Sequence, residues 1–148
     1  MKSFAAADYE RALESWTWLD FTDKTPRFAS LFGDVFLESP DGWWFLDTVG
    51  GLLTSVGTGP ELQKILNRPE GQDEYLMLGL AQACQDAGIK LGESEVYSFT
   101  PPPVVGGPMV VANVMPLAFV LAVNLAGQVH AQVRDLPPGT PITGFTIA

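Results

Sequence analysis

The segment PLAFVLAVNLAGQVHAQVRDL, Pro116 to Leu136, is the longest apolar pattern in the chain and ends in a sharp polar stop, so the rest of the fold has to bury it. Leu117, Leu121, Leu125, Val129 and Val133 recur every fourth residue, with Val120 and Leu136 filling the same side. That is the one-faced periodicity of an amphipathic helix. The odd positions from Phe119 to Val133 are also all apolar or Gly, a pattern that suits a strand as well. Length decides for the helix, because strands usually run about 4–8 residues. Pro116 suits the first helical position, where its missing N–H costs nothing, and Asp135-Leu136-Pro137-Pro138-Gly139-Thr140-Pro141 supplies the stop. The expectation is a long, largely buried helix with Leu121 on its core face.

The run from Val96 to Val133 contains no Asp, Glu, Lys or Arg. A membrane-spanning helix needs roughly 20 consecutive apolar residues, but this run is broken by Pro101-Pro102-Pro103, Gly106-Gly107-Pro108, Asn113 and Pro116. The expectation is therefore buried core or a subunit interface rather than a membrane span. The start MKSFAAADYERALESW carries acids early and has no long apolar core, which does not fit a signal peptide. One cysteine, Cys84, excludes an intramolecular disulfide framework and fits a reducing cytoplasm. In the apolar series Leu76, Leu80, Ala83, Cys84, Ala87 that thiol reads as a small buried hydrophobe.

Taken in order, the chain reads as an α+β fold: an antiparallel sheet packed against the long C-terminal helix and two or three further helices. A first helix is expected from Phe4 to Trp18, with Tyr9, Leu13 and Trp16 on one side, ending in the polar loop Thr22–Pro26. Residues 28–56 are rich in β-branched and aromatic residues cut by turn signals. Ser39-Pro40-Asp41-Gly42 has Pro second and Gly fourth, the preference of a type I turn, so Asp34–Glu38 and Trp43–Asp47 should pair, with Leu52–Val56 as the third strand. Thr58 caps a short helix to Asn67, and a second helix runs from Pro69 to Gly88. Glu95–Phe99 and Met109–Val114 read as strands around an extended arm, Pro101–Val105, and Pro141–Ala148 as a terminal strand. Residues 1–27 form an N-terminal helix and linker and 28–148 the main domain, within a single globular unit.

The residues give no catalytic centre. Metal sites built from His and Cys need several ligands at defined spacing, and the chain has only His130 and Cys84. The glycine pairs Gly50-Gly51 and Gly106-Gly107 lack the partner glycines and Lys of phosphate-binding loops. A nucleophile and base arrangement would have to use His130, whose place in the helix reads instead as a polar anchor for a neighbouring loop. No catalytic, cofactor-binding or metal-binding residue is expected. Net charge is −9 with eight basic residues scattered singly, which excludes a basic stripe that follows a phosphate backbone.

LFGDVFL (31–37), GWWFLDT (42–48), GQDEYL (71–76), YSFTPPPVVGG (97–107), Asn113-Val114 and above all GQVHAQVRDLPPGTPI (127–142) stand in an order and spacing that resembles a known family. It is the C-terminal domain of type VI secretion immunity proteins that protect bacteria against DNase toxins, long labelled a domain of unknown function. The resemblance covers residues 28–142. Members often carry a further GAD-like domain upstream, whereas residues 1–27 precede the match here, enough for one helix. The resemblance implies a non-catalytic cytoplasmic bacterial protein, or an orphan relative, that binds and blocks a basic nuclease toxin.

An inhibitor of that kind would meet its partner with acidic and aromatic surface. Asp41, Trp43, Trp44, Glu93 and Glu95 are the candidate partner-binding residues, with Trp43 and Trp44 on opposite faces of their strand so that at most one serves as an exposed contact. Two other classes compete. One is a small-molecule-binding protein or enzyme with a pocket near His130 and the Pro101–Pro103 arm; the other is a homo-oligomer formed through the long helix.

Overall fold

The structure, a computed structural model, describes residues 1–137, 139–140 and 144–147. Helix α1 (Ala6–Leu13) runs into a 3-10 turn, Glu14–Trp16, and is followed by the strands β1 (Thr25–Ala29), β2 (Val35–Ser39), β3 (Gly42–Asp47) and β4 (Leu52–Gly57). Helices α2 (Gly59–Leu66), α3 (Pro69–Leu76) and α4 (Leu78–Asp86) come next. A ribbon of β5 (Glu95–Phe99) and β6 (Val114–Ala118) then leads into α5 (Phe119–Val133). The fold is α+β, as the sequence suggests.

The four-stranded sheet is an antiparallel meander in the order β1-β2-β3-β4. Ser39 pairs with Gly42, which leaves Pro40-Asp41 as a two-residue corner, and Gly42 takes φ +134 as only glycine does without strain. Both faces of the sheet are covered because its central strands are apolar on both sides. Val35, Leu37 and Leu46 pack with Tyr9 of α1, Trp16 of the 3-10 turn, and Phe119 and Val123 of α5. Phe36, Phe45 and Val56 pack with Leu62 of α2 and Leu76 of α3. Trp44 joins the first cluster and Trp43 the second, on opposite faces as the strand alternation requires. A third cluster, Phe32, Ala81, Cys84, Tyr97, Phe99 and Val114, joins α4 to the ribbon. Each fully buried side chain of this size contributes about 1.5–3 kcal/mol.

The structure corrects the sequence-based expectations in six places, one of them the arm expected to be extended over Pro101–Val105, which winds into a 3-10 turn at Pro103–Val105. Pro116 does not start a helix: it lies in β6 opposite Tyr97, on an edge strand where a missing N–H removes no ladder bond, and α5 begins only at Phe119, whose N–H bonds to Ser94 O at 2.8 Å. The buried face of α5 is consequently Phe119, Val123, Gly127, Val129 and His130, while Leu121 is 47% exposed. The loop expected at Thr22–Pro26 gives way at Thr25 to β1, a short strand with a bulge between Pro26 and Phe28. The helix expected from Pro69 to Gly88 is two helices, broken at Met77 (φ +48), because Leu76 serves one core cluster and Ala81 and Cys84 another. A strand expected over Met109–Val114 is a 3-10 turn, Val111–Asn113, with the strand itself starting at Val114. Gly144–Ile147 form no strand, and the remainder of the strand expected over Pro141–Ala148 lies outside the described residues.

The Thr58 cap stands as expected: its Oγ1 accepts from the Glu61 N–H at 3.3 Å, with Pro60 in the first turn. Cys84 is fully buried, and burial pushes its thiol pKa up, away from reactivity.

Candidate functional site

Gly127 fixes how α5 meets the N-terminal helix. A Cβ there would collide with Ser15 Oγ and come within 2.7 Å of Trp16 Nε1, so only glycine lets the two elements approach this closely. At the contact Trp16 Nε1 donates to Val123 O (2.8 Å), Ser15 Oγ to Asn124 O (2.7 Å), and Asn124 Nδ2 to Arg11 O (3.0 Å). One turn further along α5, His130 is buried, its ring 5.6 Å from that of Trp16.

His130 anchors a loop. Its Nε2 lies 3.0 Å from Thr48 O, a carbonyl that can only accept, so Nε2 carries the proton. Thr48 is held from the other side by Asp34, whose Oδ1 accepts from both the Thr48 N–H and Thr48 Oγ1 at 2.9 Å, and whose Oδ2 accepts from Ser30 Oγ at 3.0 Å. Asp47 Oδ1 completes the corner by accepting from the N–H groups of Val49 (3.0 Å) and Gly50 (2.8 Å). Gly51, at φ +74, passes so close to the imidazole that a Cβ would clash with its ring. Burial pushes His130 below the usual histidine pKa, opposed by the Thr48 and Val49 backbone and the Asp47 carboxylate. Burial pushes Asp34 up to about 6, with the negative charge of Asp47 adding and the hydrogen bonds from Thr48 and Ser30 opposing.

Beside this chain lies a cavity of about 250 Å³, walled by α5, the β5–β6 ribbon, the Thr48-Val49 loop and the Pro102-Pro103-Val104 arm. The arm is clamped by Asn113, whose Nδ2 donates to Pro101 O (2.9 Å) and Pro108 O (3.0 Å), and by Gly107, which lies against the Pro101 carbonyl with no room for a Cβ. Phe32, Phe99, Leu117, Leu125 and Val129 give the cavity an apolar lining, and Ile147 of the C-terminal tail lines it too. His130 and the proline arm, placed together from the sequence, do meet at this cavity. Leu117 and Leu125, expected on the core face, line it as well.

The five candidate partner-binding residues fall in two groups. Asp41 is exposed at the β2–β3 corner. Trp43 is half-buried beside Phe28 (5.6 Å between rings) and Gly59. Trp44 is half-buried, donates from Nε1 to Ser39 Oγ at 3.2 Å, and has the Lys24 ammonium 4.3 Å above its ring. Glu93 is exposed, whereas Glu95 is half-buried and its carboxylate accepts from the Gly92 N–H of its own turn at 2.7 Å. Lys2 Nζ donates to Gly92 O (2.7 Å) and Glu95 O (2.8 Å), and the Lys2 backbone pairs with Ala29. Ala29 faces Val35 at the end of β2 away from Ser39, so the Glu93–Glu95 group and the Asp41 corner sit at opposite ends of the sheet. Sequence reasoning missed Asp34; its signal is a Ser four residues ahead of an Asp that opens an apolar strand.

Among the described residues no group of three or more His, Cys, Asp or Glu is placed to hold a metal ion, and no helix is long and apolar enough to cross a membrane. Compared with known proteins, the chain matches no family model and no curated protein.

Proposed function

We propose that the protein is a non-catalytic inhibitory binding protein of the immunity type, acting in the bacterial cytoplasm on a basic nuclease toxin. The order and spacing of the segments over residues 28–142 motivate this, and one structural observation supports it. Polar residues in those segments are engaged with the fold's own backbone: Asp34 and His130 hold Thr48 from two sides, and Asn113 holds Pro101 and Pro108. Such residues stiffen a scaffold rather than meet a substrate. The outer surface is free for recognition, with Asp41, Glu61, Glu70, Asp73, Glu74, Asp86 and Glu93 all exposed on a chain of net charge −9.

A partner drawn in by that surface is steered electrostatically, so the association rate falls as salt rises through the physiological range, where charges screen over about 8 Å. Asp41→Asn slows association, and Trp43→Ala speeds dissociation, because rim charges guide encounter and buried aromatics hold the complex. The test is co-expression with each neighbouring gene product, scored by growth rescue and by a purified complex. An intact protein that relieves no neighbour's toxicity and binds none of them overturns the proposal.

A further inference from the structure

The cavity beside His130 is built rather than left over. Stability falls as unfilled volume grows, yet the walls here are fixed in place, the arm by Asn113 and the Thr48 loop by His130. The lining comes mostly from the run Val96–Val133, which holds no Asp, Glu, Lys or Arg in a chain that carries 25 such residues elsewhere, 17 acidic and 8 basic. An ion placed there would lose its hydration and find no counter-charge. Of the polar lining, Thr48 and His130 already bond to Asp34 and to each other and Tyr97 donates to Ile89 O, which leaves the Ser98 and Thr100 hydroxyls, both neutral.

We propose that this cavity is a binding site for a small uncharged apolar molecule of roughly ten carbon atoms, with Ile147 at its mouth. The size follows from the volume: a dry apolar cavity of about 150 Å³ takes a six-carbon ring, and this one measures about 250 Å³. The mouth lies at the tail, because Ile147 lines the cavity while half exposed. Gln132 fixes the tail there, with Nε2 donating to Thr146 O at 2.7 Å and Oε1 accepting from the Thr146 N–H at 3.0 Å. The site stands apart from toxin inhibition, and either can fail without the other.

The test uses the whole protein and naphthalene, a neutral fluorescent hydrophobe of the size proposed, displaced by 1-alkanols from butanol to tetradecanol. The probe binds saturably with one site per chain. Each added methylene strengthens the alkanol about fourfold, the equivalent of about 0.8 kcal/mol, until the cavity is full near ten carbons, after which affinity levels off. Ionised decanoate binds at least about tenfold more weakly than decanol. Val104→Trp, which fills the cavity from the arm, and Ile147→Asp, which places a charge at the mouth, each lose about tenfold or more. Absence of saturable binding overturns the proposal, as does alkanol affinity that keeps climbing to tetradecanol at the same slope. If Val104→Trp does not fold, Ile147→Asp on the exposed tail decides alone, and wild-type affinity in a folded variant refutes the site.

Discussion

Replacing Gly127 by Ala adds one methyl group to the middle of α5, where helix propensity alone favours Ala by about 1 kcal/mol. The contact with the N-terminal helix opposes it. The new Cβ would sit 2.7 Å from Trp16 Nε1 and overlap Ser15 Oγ, closer than packed atoms tolerate, so the 3-10 turn must move away from α5. Overpacking of this kind costs about 1–3 kcal/mol. The movement also pulls Trp16 Nε1 from Val123 O, and a buried donor left without a partner costs about 1–3 kcal/mol. Set against the propensity gain, the two costs leave a net loss of about 3 kcal/mol. With a urea slope near 2 kcal/mol/M, the unfolding midpoint falls by about 1.5 M. Equilibrium denaturation followed by far-UV circular dichroism measures it, and tryptophan fluorescence reports the altered Trp16 environment independently. A variant as stable as the parent, or more so, would show that α1 and α5 are not in the close contact described.

Further expectations concern pH, the phase of α5 and the buried thiol. Asp34 has a folded-state pKa raised above its unfolded value near 3.8, so its contribution is fully present below about pH 4 and is lost as pH rises through about 6. The stability advantage of the parent over Asp34→Asn should therefore shrink by about 2 kcal/mol between pH 4 and pH 7, and a constant gap across that window contradicts the burial of the carboxyl. His130 acts in the opposite sense: its lowered pKa contributes stability above about pH 6.5 that is lost on acidification, and His130→Gln removes that component of the pH profile. Leu121→Asp, at an exposed position, should change stability by no more than about 0.5 kcal/mol, whereas Val123→Asp, on the opposite face and buried, should prevent folding; the reverse order in thermal melts would mean the helix is rotated. Native Cys84 should resist a thiol reagent that labels the urea-unfolded chain within minutes, and prompt labelling without denaturant would place it at the surface.

Features with local causes could be read from the sequence. The Ser39–Gly42 corner and the Thr58 cap follow from turn and capping chemistry within four residues, and the alternation Val35-Phe36-Leu37 against Trp44-Phe45-Leu46 follows from the strand period. What could not be read was set at long range. Helix α5 is apolar on most of its circumference, so periodicity alone cannot say which side faces the core. The Gly127 contact with Trp16 decides that, and it turns Leu121 outward. Pro116 satisfies the grammar of both a helix start and an edge strand, and only pairing with Tyr97 selects the strand. Of the candidate site, the approach of His130 to the proline arm was legible because both interrupt an uncharged run, but the cavity between them depends on Asn113 and on side chains from four separate elements.

The docking of α1 on α5 also has a consequence for synthesis on the ribosome. The bonds from Trp16 to Val123 and from Ser15 to Asn124 span 107 and 109 residues of sequence. Chain growth at about 5–20 residues per second means that Trp16 emerges roughly 5–20 s before its partner exists. During that interval Tyr9, Ala12 and Trp16, all buried in the finished fold, have no α5 to cover them. Closing such a long loop is slow and late, which makes the nascent N-terminal helix the stretch most in need of a chaperone, and predicts that translation pauses before residue 123 lower the yield of folded protein more than pauses after it.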